Sequence, residues 1–335
     1  MSDVQPINQR EISFHQVFAA EAPSNIALIK YMGKSGNEKN WPSNASLSIT
    51  LPELRTRVEI EKLGDNVQDY WEPLQKNGWI VPELSLKGQM RFLEHWKFLK
   101  GKWNVEGSFV IRSANNFPSD CGLASSASSF AALTLAAKEV VEYLLPNELF
   151  SRNDWAQLSR LGSGSSCRSF FAPVVYWKED LLDVWEWPFG PLLHDTVVVE
   201  STKKHVSSSE AHKKIESSLL NMGRAERADA RLKKLKETFV DRDWPSAFQI
   251  IWSEFWDMHA LFETSEPSFG YMTAASLEVL RDIHGHWQEF GDGPWVTMDA
   301  GANIHLLYRE DQKELYSSWK HRWTSLRAES LGRDL

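Results

Sequence analysis

Cysteine is scarce. The 335 residues hold two, Cys121 and Cys167, too few for a disulfide framework. Each lies beside a small-residue loop, where a small buried side chain is the ordinary outcome, and neither reads as a catalytic thiol. No apolar run approaches the roughly 20 residues that a membrane helix needs. The opening Met-Ser-Asp-Val-Gln-Pro lacks the basic-then-apolar pattern of a secretory signal. The expectations are a cytoplasmic location and no membrane partner. Positive charge is not in excess either: 37 Lys and Arg against 45 Asp and Glu leave a net charge of −8, which argues against a nucleic-acid partner. There are no internal repeats. Two common nucleotide signatures are also missing, the Gly-Lys-Ser/Thr P-loop and the Gly-x-Gly-x-x-Gly turn.

What is present is an ordinary globular composition, 42% hydrophobic and 24% charged, long enough for two domains or one large one with a substantial core. Tryptophan is abundant at 16 residues. Several (Trp96, Trp155, Trp252, Trp256, Trp287) fall in predicted helices and read as core.

Residues 46–51 and 55–60 alternate polar and apolar side chains, the pattern of half-buried antiparallel strands. Residues 14–33 also look strand-rich, and 64–84 look like loop. Leu86, Met90, Leu93 and Trp96 recur at helical spacing, and 107–112 reads as a strand. Asn153 or Asp154 is placed to cap a short helix to Leu161. Residues 162–169 form a small-residue turn before the apolar 170–177, and 196–200 reads as a buried strand. Residues 208–264 read as helical throughout, with charged faces around 224–236 and an apolar stripe at Phe248, Ile251, Phe255, Met258 and Leu261. A helix over 277–283 follows, then strands 295–298 and 304–308. Without a regular strand–helix alternation this is an α+β chain rather than a doubly wound sheet. The domain break is expected near 185–195, giving domains 1–190 and 191–335.

Residues 115–133, Asn-Asn-Phe-Pro-Ser-Asp-Cys-Gly-Leu-Ala-Ser-Ser-Ala-Ser-Ser-Phe-Ala-Ala-Leu, read as a phosphate cradle opening a buried helix. A helix N-terminus presents unpaired N–H groups and a partial positive charge, and small residues let a polyphosphate approach the backbone. Gly122 ends the turn, and Ser125, Ser126 and Ser128 offer hydroxyls to phosphate oxygens or a magnesium ion. On spacing alone, a Ser/Ala-rich helix equally suits two closely packed elements. Three more segments combine small residues with chemical groups: 22–34 (Ala-Pro-Ser-Asn-Ile-Ala-Leu-Ile-Lys-Tyr-Met-Gly-Lys), 162–169 (Gly-Ser-Gly-Ser-Ser-Cys-Arg-Ser) and 299–303 (Asp-Ala-Gly-Ala-Asn).

In order and spacing these four segments, with 258–271, resemble the diphosphomevalonate decarboxylases of the GHMP kinase superfamily over nearly the whole chain. The resemblance implies a two-domain GHMP kinase fold with an active-site cleft between domains, ATP and Mg2+ as cofactors, and a homodimer. The reaction it implies converts mevalonate 5-diphosphate and ATP into isopentenyl diphosphate, carbon dioxide, ADP and phosphate, in isoprenoid biosynthesis. Asp299 would orient or deprotonate the 3-hydroxyl, Lys30 would hold Asp299 ionised, and Arg168 would grip the substrate carboxylate with its planar fork. Tyr31, Lys34, Ser163, Ser165 and Asn25 would bind the substrate. Ser125, Ser126, Ser128 and Gly122 would bind ATP, with Ser126 toward the metal. Structural alternatives stand beside each role: a turn residue for Asp299, a solvated edge charge for Lys30, an ion pair for Arg168, loop geometry for the two serines, and a strand-end hydrogen bond for Asn25.

Three positions depart from the family pattern: Met32 for Trp, Ala302 for Pro, and Ala211-His212 for Gly-Met. The last leaves open whether the substrate's 5-position carries one phosphate or two. The rival functions are a phosphomevalonate decarboxylase or mevalonate 3-kinase on the same fold, and a non-catalytic ATP-binding sensor.

Overall fold

The computed structural model describes residues 11–35, 40–64, 67–82, 84–117, 125–146, 150–202 and 204–326. Gly122 and Cys121 of the phosphate cradle lie outside the described residues. The chain divides into two compact units. The described residues of the first fall in Met1–Pro23, Glu53–Phe117 and Ser126–Phe170, and those of the second in Ser24–Pro52, Pro118–Ser125 and Phe171–Leu335.

Strands β1 (Val17–Ile29) and β2 (Ser46–Lys62) pair with each other, and each runs from one unit into the other. The two alternating stretches of 46–60 are thus one strand rather than two. Pro52 sits between the stretch paired with β5, Ser46–Ile49, and the stretch paired with β4, Thr56–Lys62.

In the first unit, β3 (Tyr70–Pro73) and β4 (Phe109–Asn115) extend β2, β4 antiparallel to it and β3 parallel to β4. The sequence placed a loop at β3. Its four residues end in proline and occupy an edge, where a missing N–H is tolerated, and the Trp71 indole secures it by donating to Ser113 Oγ at 2.9 Å. Three helices complete this unit: α1 (Leu86–Lys102), α2 (Ser125–Leu144) and α3 (Arg152–Gly162), only Ser125 of α2 belonging to the second unit.

Helix α1 forms where its spacing indicates but is rotated. Leu86 and Met90 are 78% and 60% exposed, while Phe92, His95, Trp96 and Leu99 face inward. Trp96, shared with the predicted stripe, and Phe92, outside it, set the buried face, Phe92 against Phe130 at 5.3 Å and Trp96 against Phe109 at 5.2 Å. Helix α3 begins earlier than expected. Ser151 is its cap, and Asp154 reaches back to the Ser151 N–H as the third residue of a capping box. Its C-terminal Gly162 meets α2 so closely that a Cβ there would lie 2.2 Å from the Phe130 ring.

In the second unit, β5 (Val174–Lys178) and β6 (Leu181–Trp185) form a hairpin on β2; β6 has no counterpart in the sequence reading. A separate antiparallel sheet follows the order β7-β9-β8, from β7 (Leu192–Val197), β8 (Trp295–Thr297) and β9 (Ile304–Arg309). Strand β7 starts and stops before the predicted 196–200. Past Val197 the ladder is replaced by a side chain, Asn303 Oδ1 accepting from the N–H groups of Val199 and Glu200.

The predicted continuous helix is three: α4 (Ser208–Lys214), α5 (Arg224–Asp241) and α6 (Trp244–Glu263). Short 3-10 turns, left-handed Gly223 and Arg242, and the Asp243 cap interrupt it. Every residue of the α6 apolar stripe is buried. Helices α7 (Ala274–Phe290) and α8 (Lys313–Trp319) follow.

Candidate active site

The last turn of β1 is wholly apolar and buried: Ile26, Ala27, Leu28 and Ile29. Lys30 comes next, and the sheet carries its ammonium inward rather than to solvent. Its side chain is 2% exposed, and Nζ donates to Ala27 O and to Asp299 Oδ1, each at 2.8 Å. The solvated-edge alternative for Lys30 is thereby excluded, since a buried ammonium requires an opposite charge and acceptors around it. The Lys30 peptide is also held. Its N–H donates to Glu254 Oε1 at 3.0 Å, and its carbonyl accepts from Asn44 Nδ2 at 2.9 Å.

Asp299 opens the turn between β8 and β9, and its carboxylate remains 30% exposed. The Asp299 carbonyl accepts from Gly301 N–H at 2.8 Å and from His259 Nε2–H at 3.1 Å. Lys204 Nζ donates to Ala300 O at 2.9 Å, and Ser276 Oγ, on the first turn of α7, to Ala302 O at 2.9 Å. Asp299 is thus a turn residue and an ion-pair partner at once: the turn is clamped through its main chain, and the carboxylate, paired with Lys30, keeps contact with solvent. Burial and the nearby Lys30 ammonium push His259 down to about 4, so its ring is neutral at physiological pH.

The layer under Lys30 was not foreseen from sequence. Glu254, fully buried on α6, accepts from Arg224 and from Arg231, the latter at 3.0 Å. Asp257 accepts from Arg224, Arg227 and Arg231 at 3.3, 2.8 and 2.6 Å, and these guanidiniums hold its carboxyl below the usual range. The available signal was a carboxylate between Ile251 and Phe255 in an apolar stripe, a position that only a buried ion pair sustains.

Beyond Lys30 the chain turns. The Tyr31 ring lies against Trp177 and His212, with centroids 4.8 and 4.5 Å away, and its hydroxyl donates to Asn40 O at 3.2 Å. Gly33 has φ +105°, and its N–H donates to His212 Nδ1 at 3.0 Å. Accepting there places the proton of the neutral ring on Nε2. Burial and the Lys34 charge push His212 down to about 3. Lys34 itself is exposed, with Nζ 2.7 Å from Asn40 Oδ1. Two of the departures from the family pattern share one apolar cluster, Met32 and Ala211 packing with Ile215, Met258, Phe262 and Ala300. Asn25 is buried within β1.

The other predicted residues that the structure describes belong to the first unit, save Ser125. Ser125 and Ser126 form the first turn of α2, Ser125 half-buried and Ser126 exposed, and that turn contains no acidic residue. Ser163 Oγ donates to Ser126 Oγ at 3.4 Å, so these two serines are brought together, while Ser165 is half-buried. Arg168 lies buried on the 3-10 helix Gly164–Phe170. Ser128 faces inward, its hydroxyl 2.7 Å from that of Thr56, so it packs the root of α2 instead of offering its oxygen to a phosphate. Cys167 is buried, its thiol pushed up to about 12 by desolvation, which leaves it no nucleophilic thiolate.

Residues 22–183 match the diphosphomevalonate decarboxylase-like N-terminal domain and residues 196–328 the mevalonate 5-diphosphate decarboxylase C-terminal domain. The diphosphomevalonate decarboxylase of Saccharomyces cerevisiae is 30% identical over 323 residues, covering 88% of this chain and 79% of that protein. Among solved structures, a mevalonate diphosphate decarboxylase from Legionella pneumophila is 47% identical with a TM-score of 0.85, over 92% of this chain and 98% of that one. A protein named MDDEF, solved in complex with MVAPP, AMPPCP and magnesium, is 28% identical with a TM-score of 0.80, over 92% and 93% of the two chains.

The α+β architecture and these likenesses define a two-domain protein of the GHMP kinase fold. Within it, the chain belongs to the diphosphomevalonate decarboxylase family and is an enzyme, an ATP-dependent decarboxylase.

Proposed function

We propose that this chain converts mevalonate 5-diphosphate and ATP into isopentenyl diphosphate, carbon dioxide, ADP and phosphate, in isoprenoid biosynthesis. The observation that carries the reading is the Asp299 carboxylate, open to solvent, with a buried ammonium 2.8 Å away. A tertiary alcohol is a poor nucleophile, and hydroxide is a poor leaving group. A base that takes the hydroxyl proton answers the first problem, and transfer of the ATP γ-phosphoryl to the 3-hydroxyl answers the second by making phosphate the leaving group. The C3–O bond then breaks with phosphate leaving, and the electrons of the C1–C2 bond form the double bond as carbon dioxide departs.

In this reading Asp299 accepts or orients the hydroxyl proton, and Lys30 keeps the carboxylate charged and aimed. Arg168 grips the substrate carboxylate. Tyr31, Lys34, Ser163 and Ser165 serve the diphosphate end, and Asn25 is a further substrate-binding residue. Ser125 and Ser126 would meet the ATP phosphates, together with Gly122. The residues fit such a ligand: an α-helix N-terminus with an exposed hydroxyl on Ser126 and no carboxylate in its first turn suits an anion. Among the described residues no group of three or more His, Cys, Asp or Glu side chains is placed to hold a metal. Mg2+ would therefore be held by phosphate oxygens with Ser126, where it offsets charge in phosphoryl transfer. The related complex with MVAPP, AMPPCP and magnesium supports this ligand set.

The functional domains in this reading are 1–190 and 191–335, supported by family matches that end at 183 and resume at 196. The same reading places a homodimer in the cytoplasm, resting on the resemblance; sedimentation velocity of the purified chain tests the dimer. The reaction is tested by supplying ATP and Mg2+ with either the 5-diphosphate or the 5-monophosphate of mevalonate. Equal release of ADP and carbon dioxide from the 5-diphosphate supports it. ADP without carbon dioxide makes the protein a kinase and overturns it, and preference for the monophosphate reassigns the substrate.

A further inference from the structure

We infer that Glu254 and His259, both buried on α6, are positioning residues that set the geometry of the Lys30–Asp299 pair through its main chain. The two members of the pair are 269 residues apart in sequence. Each depends on the same helix: Glu254 Oε1 accepts the Lys30 N–H at 3.0 Å, and His259 Nε2–H donates to the Asp299 carbonyl at 3.1 Å. Five residues along a helix rise about 7.5 Å, so one rigid element fixes the spacing of two backbone points. Neither side chain can wander. Glu254 is clamped by Arg224 and Arg231, and the His259 ring is packed edge-on against Phe262 and Tyr271 at 5.3 and 6.2 Å.

The charge pattern agrees. The groups facing His259 are the Lys30 ammonium and the Asp299 carbonyl and carboxylate, and burial with Lys30 keeps the ring uncharged. The carbonyl therefore meets a neutral donor, which holds the turn without competing with Lys30 for the carboxylate. A protonated ring would add a second cation beside Asp299.

The inference rests on the proposed reaction, so its test separates the two. The wild-type enzyme reads the reaction. His259→Phe keeps a ring and loses the donor, whereas His259→Gln can restore an N–H near the position of Nε2. The expected result is a kcat for mevalonate 5-diphosphate lowered about 10- to 100-fold in His259→Phe, the scale of a misplacement of about 1 Å. KM should stay within about threefold, the acid limb of kcat/KM should move to higher pH as Asp299 loses its ammonium, and His259→Gln should recover most of the rate. Glu254→Gln, which keeps an acceptor for Lys30, should retain more activity than Glu254→Leu. Crystal structures of the His259 variants read the same inference without turnover: Lys30 and Asp299 parted in His259→Phe and in contact in His259→Gln. Wild-type kcat and an intact pair in His259→Phe overturn it. So does a lowered kcat with an unmoved pH limb and no recovery in His259→Gln, which marks a packing role alone.

Discussion

Each unit carries a set of arginine–carboxylate pairs, and the two sets live in different dielectrics. In the first unit, Arg57 pairs with Glu21 and Glu59 at 3.1 and 2.8 Å, and Arg112 with Glu61 and Glu72, all on side chains that keep contact with water. In the second, Arg224 and Glu254 are 2% and 0% exposed at the side chain, and the network they begin extends to Arg227, Arg231 and Asp257. Exposed pairs are screened and weak. A buried set costs desolvation and is often no more stabilising than apolar packing. Its presence under Lys30 is thus better explained by what it aims than by stability alone, since Glu254 also receives the Lys30 N–H.

Cutting the buried set should have the larger effect on folding. Arg224→Met leaves Glu254 without its principal partner and should cost about 3–5 kcal/mol in urea unfolding. A loss below about 1 kcal/mol would erase the distinction between the two units.

Acid should next expose the second unit. His212 and His259 are held neutral with values of about 3 and 4 against an ordinary 6.5. The unfolded chain therefore binds more protons than the native one below pH 6.5. The stability these rings contribute is complete above that pH and is lost as pH falls through about 4 and then about 3. Near pH 5 each ring should add about one proton to the uptake on unfolding. In melts from pH 7 to 5, His212→Met should lose Tm less steeply than wild type; parallel curves would show that the ring is not buried neutral.

Arg112→Met tests the partly exposed set and should cost about 1 kcal/mol, less than Arg224→Met, a cost that shrinks in 1 M salt. The smallest effect is expected at Cys167, whose native thiol should resist alkylation until the chain is unfolded. Peptide-resolved labelling of the folded protein measures it, and rapid modification there would contradict the burial.

Much of this was legible in the sequence because small-residue turns and strand alternation are local. The 22–34, 162–169 and 299–303 segments could be found by spacing, and the ordering of Lys30 and Asp299 followed from a resemblance rather than from periodicity. What escaped required the third dimension. On α1, Trp96 is buried as its spacing indicates, but Phe92, outside the predicted stripe, shares the core face while Leu86 and Met90 are exposed. Strand β3 is four residues ending in a proline, too short to show alternation. Arg224 read as surface because α5 is otherwise charged, and its burial depends on Glu254, 30 residues away. His259 fell inside the 258–271 resemblance but without a role, since its partner is a main-chain carbonyl.

The claim on which the rest depends is that Asp299, held by Lys30, works on the substrate hydroxyl. Asp299→Asn keeps the size and the turn while removing the charge. Measured with ATP, Mg2+ and mevalonate 5-diphosphate, it should lower kcat by about 10²–10⁴-fold, with carbon dioxide and ADP falling together and thermal stability near that of wild type. Turnover within a few fold of wild type would contradict the account.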